Sequence, residues 1–431
     1  MGNKNIIIVY VPVATLHPAE YNPRKISKEA FAQLKESITR FQMVDPIIVN
    51  AAPKRKNVVI GGHMRLRAAK ELGHKVIPVV YVDIPDVERE KELNLRLHKA
   101  TGEFDYQLLK NLDLDLLLNV GFDKDALSDM WTEHLKTDDE TFDTEKELKK
   151  IKIPETRLGD LIIMGPHKLI CGDSTKPKTL KRLFGNEKAA MIDNDPVYNL
   201  KIEGLYDKGI GGKQSYGGNV NDTRTDEEYK DFLKKSLECA LSVTEDNAHV
   251  FYWSDQTNIW LIQTLYRELG ITNKRVCLWL KNSQNPVPGV AFNKCYEPCT
   301  YGVRGKPYLN KAITKLNEVM NKEMTTGNSL LSESLDYLDV WMVPRLPGKE
   351  YSHSTSKPPA LYEKAIRRCT RPGDIILDSF SGSGSTIIAG EQLKRKVYAI
   401  ELEPIFCDLT IRRYERLTGT KVRVIRNHEA V

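Results

Sequence analysis

The chain has 431 residues, 41% of them hydrophobic and 28% charged, which suits a globular protein of two or three domains. Lys and Arg number 64 against 58 Asp and Glu, a net charge of +6 that admits a polyanionic partner without requiring one. Seven scattered cysteines, odd in number and without a CxxC pair, argue against a disulfide framework or a metal site and for a reducing cytoplasm. The N-terminal apolar run, IIIVYVPVA, is too short to span a membrane and suits a first strand.

The first segments in chain order are VPVATLHPAEYNPRKIS, a helix around 27–41, VDPIIVN and VVIGGHMRLRAAKELG. Gly61 and Gly62 fall at a strand-to-helix turn, with His63, Arg65 and Arg67 following. Glycines at such a turn with basic side chains in the first helical turns make an anion site, which Arg24 of NPRK can join. His63 serves equally well as a plain helix-start residue. Next, KTDDETFDTEKELKK (136–150) is charged and nearly without apolar residues, and reads as a solvated linker or exposed helix.

From Ile151 onward short β-rich runs alternate with helical segments such as 226–245 and 256–269. That order predicts an α/β domain with a mostly parallel sheet and helices on both faces. Within it, the apolar run 189–192 breaks at once into DNDPVYNL. At a strand end Asp195 and the Pro196 carbonyl can each accept a hydrogen bond from an amino group, and Tyr198 offers a face for stacking. A β-turn with Asp195 capping backbone N–H groups explains the tetrapeptide alone equally well. Six glycines in 200–220 give either a closing loop or a surface loop. Residues 275–350 interleave Lys281, Lys294, Arg304, Lys306, Lys311 and Lys315 with Trp279, Tyr296, Tyr301 and Tyr308, which suits a phosphate-tracking surface. Cys299, inside the run EPCTYGV, reads as a buried structural thiol.

The strongest signal is GDIILDSFSGSGSTIIAGEQL, 373–393. An apolar strand ends in Asp378, a loop with Gly382 and Gly384 follows, and a helix begins near Thr386. This is the strand, glycine loop and helix of a nucleoside cofactor site. The next strand ends in Glu401, and an acidic residue about 20 positions on suits a ribose diol. No GK[ST] follows the loop, so it is not a phosphate-binding P-loop.

Taken together, DPVY (195–198), HSTSKPPALYEKAI (353–366) and DSFSGSGST (378–386) resemble the motifs of S-adenosylmethionine-dependent DNA amino-methyltransferases in the permuted, β-class order. LGDLIIMGPHKLICGDS (158–174) is similar to the entry segment of prophage-type members, as found in restriction–modification and phage modification enzymes. The resemblance implies a Rossmann-like domain over 151–425, S-adenosylmethionine as cofactor, and a methyl transfer to the exocyclic amine of a flipped base in double-stranded DNA. It implies that Asp195, Pro196 and Tyr198 hold the base. Around the cofactor it places Asp173, Thr355, Lys357, Asp378, Phe380, Gly382, Gly384, Thr386 and Glu401, with target recognition in about 275–350. The leading aspartate of the motif points to adenine N6 over cytosine N4. Val197 stands where the family usually has a second proline, which predicts retained activity with less pre-organisation of the backbone.

Residues 1–110 resemble the α+β ParB/sulfiredoxin-like domain, with GGHMRLRAA as its GxxRxxA-type motif and 111–150 as a helical, charged linker. That resemblance brings in a nucleotide at the anion site as a candidate partner; a homodimer is a further candidate that the sequence leaves open. Two other readings stay open: a cofactor-binding DNA protein that has lost turnover, and a nucleotide-operated DNA module whose C-terminal part only targets.

Overall fold

The computed structural model describes residues 6–98, 103–104, 106–131, 135–137, 142–199, 224–285, 294–310, 339–343 and 357–426. Two compact units emerge, Met1–His134 and Leu135–Val431. The boundary falls inside the stretch expected to be a linker.

In the first unit the strands are β1 (Ile8–Pro12), β2 (His17–Pro18), β3 (Arg24–Lys25), β4 (Ile47–Asn50), β5 (Val58–Gly61), β6 (Val76–Val82) and β7 (Glu103–Phe104). Five of them form a sheet in the order β1-β6-β4-β5-β2, while β3 pairs with β7. The helices are α1 (Lys28–Phe41), α2 (His63–Glu71), α3 (Val87–His98), α4 (Tyr106–Leu109), α5 (Leu114–Val120) and α6 (Lys124–Trp131). Ser27 caps α1 by accepting from the Ala30 N–H at 3.1 Å. The core is made by Leu16, Ile47, Val49, Val59, Leu66, Ile77 and Val79. Helices α5 and α6 bury Leu117, Val120, Leu127 and Trp131, which is why they fold with this unit.

The second unit opens with α7 (Thr144–Lys150), then β8 (Leu161–Met164), β9 (His167–Cys171), α8 (Pro177–Phe184), β10 (Ala189–Asn194), α9 (Asp226–Ser242), β11 (Thr244–Trp253) and α10 (Ile259–Glu268). It continues with β12 (Thr272–Asn285), β13 (Lys294–Arg304), β14 (Val340–Met342), α11 (Pro359–Cys369) and β15 (Ile375–Asp378). The last elements are α12 (Ser385–Gln392), β16 (Lys396–Glu401), α13 (Pro404–Thr418) and β17 (Arg423–Ile425). Phe142, Leu148 and Ile151 around α7 pack on Leu409, Ile405 and Phe406 of α13. The helix is one of the two forms the sequence reading allows for this stretch, a solvated linker or an exposed helix, but its flanks are docked through Phe142 and Ile151.

Ten strands form one sheet in the order β14-β12-β13-β11-β10-β15-β16-β9-β8-β17. Five neighbours, β11-β10-β15-β16-β9, are all parallel. Only β13 and β8 run against the common direction, as the pairings at both edges show. Helices α8, α9 and α10 cover one face, where Leu180, Leu233, Leu237 and Leu265 pack against Ile192, Leu377 and Ile400. Helix α12 lies on the other face, so close that a β-carbon at Gly390 would sit 2.4 Å from Val397 Cγ2. The mostly parallel sheet with helices on both faces is thus as the sequence reading expects.

Candidate active site

Strands β10 and β15 are adjacent and parallel, but the chain leaves β10 towards β11 and leaves β15 towards β16. Connections that diverge in this way open a crevice at the carboxyl ends of the two strands, the usual ligand position in an open α/β sheet. The two lips are Asp193-Asn194-Asp195 and Asp378-Ser379-Phe380. A hydrogen bond ties them together, the Ser379 N–H donating to Asn194 Oδ1 at 3.0 Å.

On the β10 lip, the Tyr198 hydroxyl lies 3.0 Å from Asp195 Oδ1 and 3.2 Å from Glu297 Oε2. Lys357 Nζ makes an ion pair with Asp195 Oδ2, donates to the Tyr198 hydroxyl at 3.0 Å and lies 3.5 Å from Glu297 Oε2. Glu297 Oε1 takes a second ion pair from Lys281. Burial works against the Lys357 ammonium, but the Asp195 and Glu297 carboxylates outweigh it and hold its pKa above the usual lysine range. Burial likewise works against Glu297, and the two lysines overcome it to pull this carboxyl down to about 2. Beneath the cluster, Trp253 donates its Nε1–H to Asp193 at 2.9 Å and offers its ring to Lys357 at 4.9 Å. Asp193 itself is pushed well up by burial, reinforced by the Asp378 charge.

The backbone of this lip is pinned from two helices. The Tyr229 hydroxyl of α9 donates to the Val197 carbonyl at 2.8 Å, and Asn258 Nδ2, ahead of α10, donates to the Tyr198 carbonyl at 3.1 Å. Asn199, at φ +54°, exchanges two hydrogen bonds with the Arg224 backbone.

The β15 lip is held differently. Asp378 accepts the Thr386 hydroxyl at 2.6 Å and the Phe380 N–H at 3.0 Å, and burial raises its carboxyl to about 6. Glu401, at the end of β16, accepts the Gly382 N–H at 2.7 Å and the Glu403 N–H at 2.9 Å, and burial raises it to about 7. Gly384 sits at φ +78° with the position of a β-carbon 2.5 Å from Thr410 Cγ2, so both its backbone and its surroundings require glycine. The buried Arg413 clasps the loop, donating to the Ser383 carbonyl at 2.9 Å and to Ser385 Oγ at 3.0 Å. Asp173 follows β9 and turns onto Thr175 at 2.7 Å; the adjacent Gly172 N–H meets the Glu401 carbonyl at 2.8 Å, so Asp173 belongs to this lip as well.

Most of the residues singled out in the sequence converge on one crevice: Asp195, Pro196 and Tyr198 on one lip, and Asp173, Asp378, Phe380, Gly382, Gly384, Thr386 and Glu401 on the other. Lys357 is expected with the cofactor residues but has its direct partners on the Asp195 lip. Thr355, Lys311, Lys315 and the glycine-rich 200–220 segment lie outside the described residues. Three members of the expected phosphate-tracking surface turn inward instead. Trp279 is buried, Tyr301 stacks on Phe251 at 4.5 Å, and Lys281 is tied to Glu297, because strands β12 and β13 carry these side chains into the domain. Cys299 is fully buried, as expected.

The sequence reading missed Glu297, Asp193 and the inward role of Lys281. A signal existed: Cys277, Trp279 and Lys281 share one face of β12, and Glu297 stands opposite Trp279. In the N-terminal unit, Gly62 takes φ +93° and starts α2, as the strand-to-helix turn requires. The basic side chains do not gather there on one anion position. Arg65 pairs with Asp45, Arg67 donates to Glu71 at 3.2 Å over the Phe31 ring, and His63 Nε2 accepts the Ala19 N–H at 3.2 Å. Arg24 lies in β3, opposite Phe104.

Residues 189–412, just over half the chain, match a sequence family described as DNA methylase, of the N6/N4 class. This chain belongs to the N6/N4 DNA methylase family. Its residues 2–97 also match the ParB N-terminal domain. Similar curated proteins include the type II methyltransferase M2.DpnII of Streptococcus pneumoniae, 26% identical over 278 residues, 62% of this chain and 98% of the relative. Another is M2.MboI of Moraxella bovis, 26% identical over 240 residues, 54% of this chain and 84% of the relative. Among solved structures, the M1.HpyAVI–SAM complex shares 23% identity with a TM-score of 0.40, covering 57% of this chain and 97% of the other. The methylase is an S-adenosylmethionine-dependent DNA methyltransferase that acts on double-stranded DNA. No helix among its described residues is long and apolar enough to cross a membrane.

The crevice fits that cofactor. The buried Ser379 Oγ, Ser381 Oγ and Asn194 Nδ2 have no hydrogen-bond partner among the described residues, so the crevice floor offers polar groups to a ligand. Gly382, at φ +51°, has no atom of the described residues within 4 Å of where a side chain would begin, so a ligand can approach its backbone closely. Glu401 has lone pairs left after its two N–H donors, as a ribose diol needs.

Proposed function

We propose that the base methylated by this enzyme is adenine, at N6, and that Asp195, the Pro196 carbonyl and Tyr198 hold it. The observation that carries this reading is the Asp195 carboxylate at the end of β10, across the crevice from the Asp378 loop and fixed by Tyr198 at 3.0 Å. When bound, S-adenosylmethionine supplies an electrophilic sulfonium methyl, which passes to the amine nitrogen while the electron pair of the broken carbon–sulfur bond stays on sulfur. Asp195 and the Pro196 carbonyl accept the amine N–H groups and favour the positive charge that develops on nitrogen, until one proton leaves. The Tyr198 ring stacks on the base, and much of the rate comes from holding the two reactants in line. Asp378, Phe380, Gly382, Gly384 and Thr386 surround the methionine end of the cofactor, Glu401 the ribose and Asp173 the adenine ring. Lys357 serves the Asp195 lip instead, and Thr355 stays an expectation of the motif.

Val197 does not mark lost turnover in this reading, because the Val197 and Tyr198 carbonyls are pinned from α9 and α10. The methylase domain runs over 151–425, with target recognition in 275–350. The N-terminal unit serves as a DNA-docking or structural module: Arg65 and Arg67 after the Gly61-Gly62 turn are already paired with Asp45 and Glu71, which argues against a nucleotide there; nucleotide binding at that turn is the alternative, separated by calorimetric titration with nucleoside triphosphates. Seven free thiols accord with a reducing cytoplasm, and sedimentation decides between monomer and homodimer.

The test is to incubate the enzyme with unmethylated DNA and S-adenosylmethionine, digest to nucleosides and read the products by mass spectrometry. N6-methyl-2′-deoxyadenosine bears out the proposal. N4-methylcytosine keeps the mechanism and changes the base, and no methylated nucleoside despite cofactor binding selects the binding-protein reading.

A further inference from the structure

The β10 lip holds four charged side chains that nothing in the motif accounts for as a set. Asp195 and Glu297 are the anions, Lys357 and Lys281 the cations, and they form a chain in the order Asp195, Lys357, Glu297, Lys281. The side chains of Lys357 and Lys281 are only 4% and 10% exposed. Glu297 and Lys281 lie on neighbouring antiparallel strands, and Lys357 precedes α11, so a large part of the fold is committed to this arrangement. Buried charges persist only when paired, because desolvation costs several kcal/mol per ion. The set is neutral as a whole: two positive and two negative groups.

The arrangement has a consequence for methyl transfer. A lone Lys357 beside Asp195 would draw the carboxylate away from an amine and would oppose the positive charge that develops on the amine nitrogen. Glu297 counters both effects. It shares Lys357 with Asp195 and stands 3.2 Å from the Tyr198 hydroxyl. Lys281 in turn keeps Glu297 ionised without touching Asp195.

We propose that Glu297 is a positioning residue for methyl transfer: through Lys357 and Tyr198 it sets the place and the charge of Asp195, with Lys281 as its own counter-ion. This rests on the reading of Asp195 as the amine acceptor. The titratable groups facing Asp195 are Lys357, Glu297 and Tyr198, with Asp193 and Asp378 from the strand ends and Tyr362 from α11. Glu297 opposes ionisation of Asp195 and Lys357 favours it. The signs are therefore opposite for the two partners. Removing the Glu297 charge moves the acid limb of kcat to lower pH, and removing the Lys357 charge moves it to higher pH.

The experiment measures kcat, KM for DNA and the pH profile of kcat for wild type, Glu297→Gln, Lys357→Met and Asp195→Ala, with cofactor affinity by calorimetry as a check of the fold. For Glu297→Gln the expected result is a fall in kcat of about tenfold, KM within about twofold, and an acid limb displaced downwards. Lys357→Met displaces the limb upwards. An unchanged kcat and profile in Glu297→Gln, while Asp195→Ala is strongly slowed, overturns the role of Glu297. Full activity in Asp195→Ala overturns the underlying reading of the clamp instead. Should Glu297→Gln lose cofactor binding and with it the fold, Lys281→Met carries the test. Glu297 then loses its own counter-ion and the charge balance on Asp195 changes, so the limb must move, and an unmoved limb contradicts the proposal.

Discussion

The carboxylates of the β15 lip take their hydrogen bonds from within one strand–loop–helix–strand unit: Asp378 receives Phe380 and Thr386, and Glu401 receives Gly382 and Glu403. The β10 lip is held by remote residues, for Asp195 is paired with Lys357, 162 positions away, and Tyr198 reaches Glu297, 99 positions away. The charge chemistry differs too. On the β15 lip burial lifts both carboxyls, to about 6 and about 7; on the β10 lip burial raises Asp195 and Asp193 as well, but lysines drive the neighbouring Glu297 down to about 2. One lip is a backbone cradle that needs glycines, and the other is an ion cluster that needs partners. A cradle tolerates no added side chain; a cluster tolerates no unpaired charge.

If the cradle is set by backbone shape, Gly384→Ala should do the greatest harm there. The new methyl meets Thr410 and the residue must hold φ +78°, so stability should fall by about 1–3 kcal/mol and cofactor affinity by up to about 10²-fold. Denaturant titration and calorimetry check this; an unaffected variant would mean that the loop is not the tight cradle described.

Glu401→Gln sharpens the charge side of the comparison. Its raised carboxyl holds a proton near neutrality, while ribose hydroxyls donate to the ionised form. Cofactor binding to wild type should therefore release protons at about pH 6–7 and weaken as pH falls below that range. The glutamine variant should bind about tenfold less tightly, with no proton release. Calorimetry in buffers of different ionisation enthalpy reads it directly. The same raised values give the apoprotein a stability that declines as pH rises from the ordinary carboxylate range through about 7, because the folded state keeps protons the unfolded chain gives up.

The smallest effect is expected for Val197→Pro. With the Val197 carbonyl held by Tyr229 and that of Tyr198 by Asn258, the backbone is already fixed, and turnover should change by less than about threefold. A gain well above that would show that the family proline adds order these bonds do not supply.

The same contrast explains what was legible in the sequence. Asp378, Gly382, Gly384, Thr386 and Glu401 lie within one strand–loop–helix–strand unit, whose spacing carries the geometry. The parallel core was legible from alternating β and helical runs for the same reason. Glu297 was not, because nothing local to EPCTYGV shows that Lys357 and Lys281 will meet it. The outward reading of Trp279 failed on burial and that of Tyr301 on its stacking against Phe251, since sheet strands covered by other elements turn inward aromatic and basic side chains that composition alone suggests are exposed. Helices α5 and α6 were folded into a supposed linker because their apolar stripes are short.

The most direct measurement of the division between the two lips is cofactor affinity and single-turnover methyl transfer, determined side by side for wild type and Asp195→Ala. The account predicts near wild-type affinity with transfer slowed by about 10²–10³-fold, since Asp195 acts on the amine and not on the cradle. Transfer at the wild-type rate, or affinity lost in step with transfer, would contradict it.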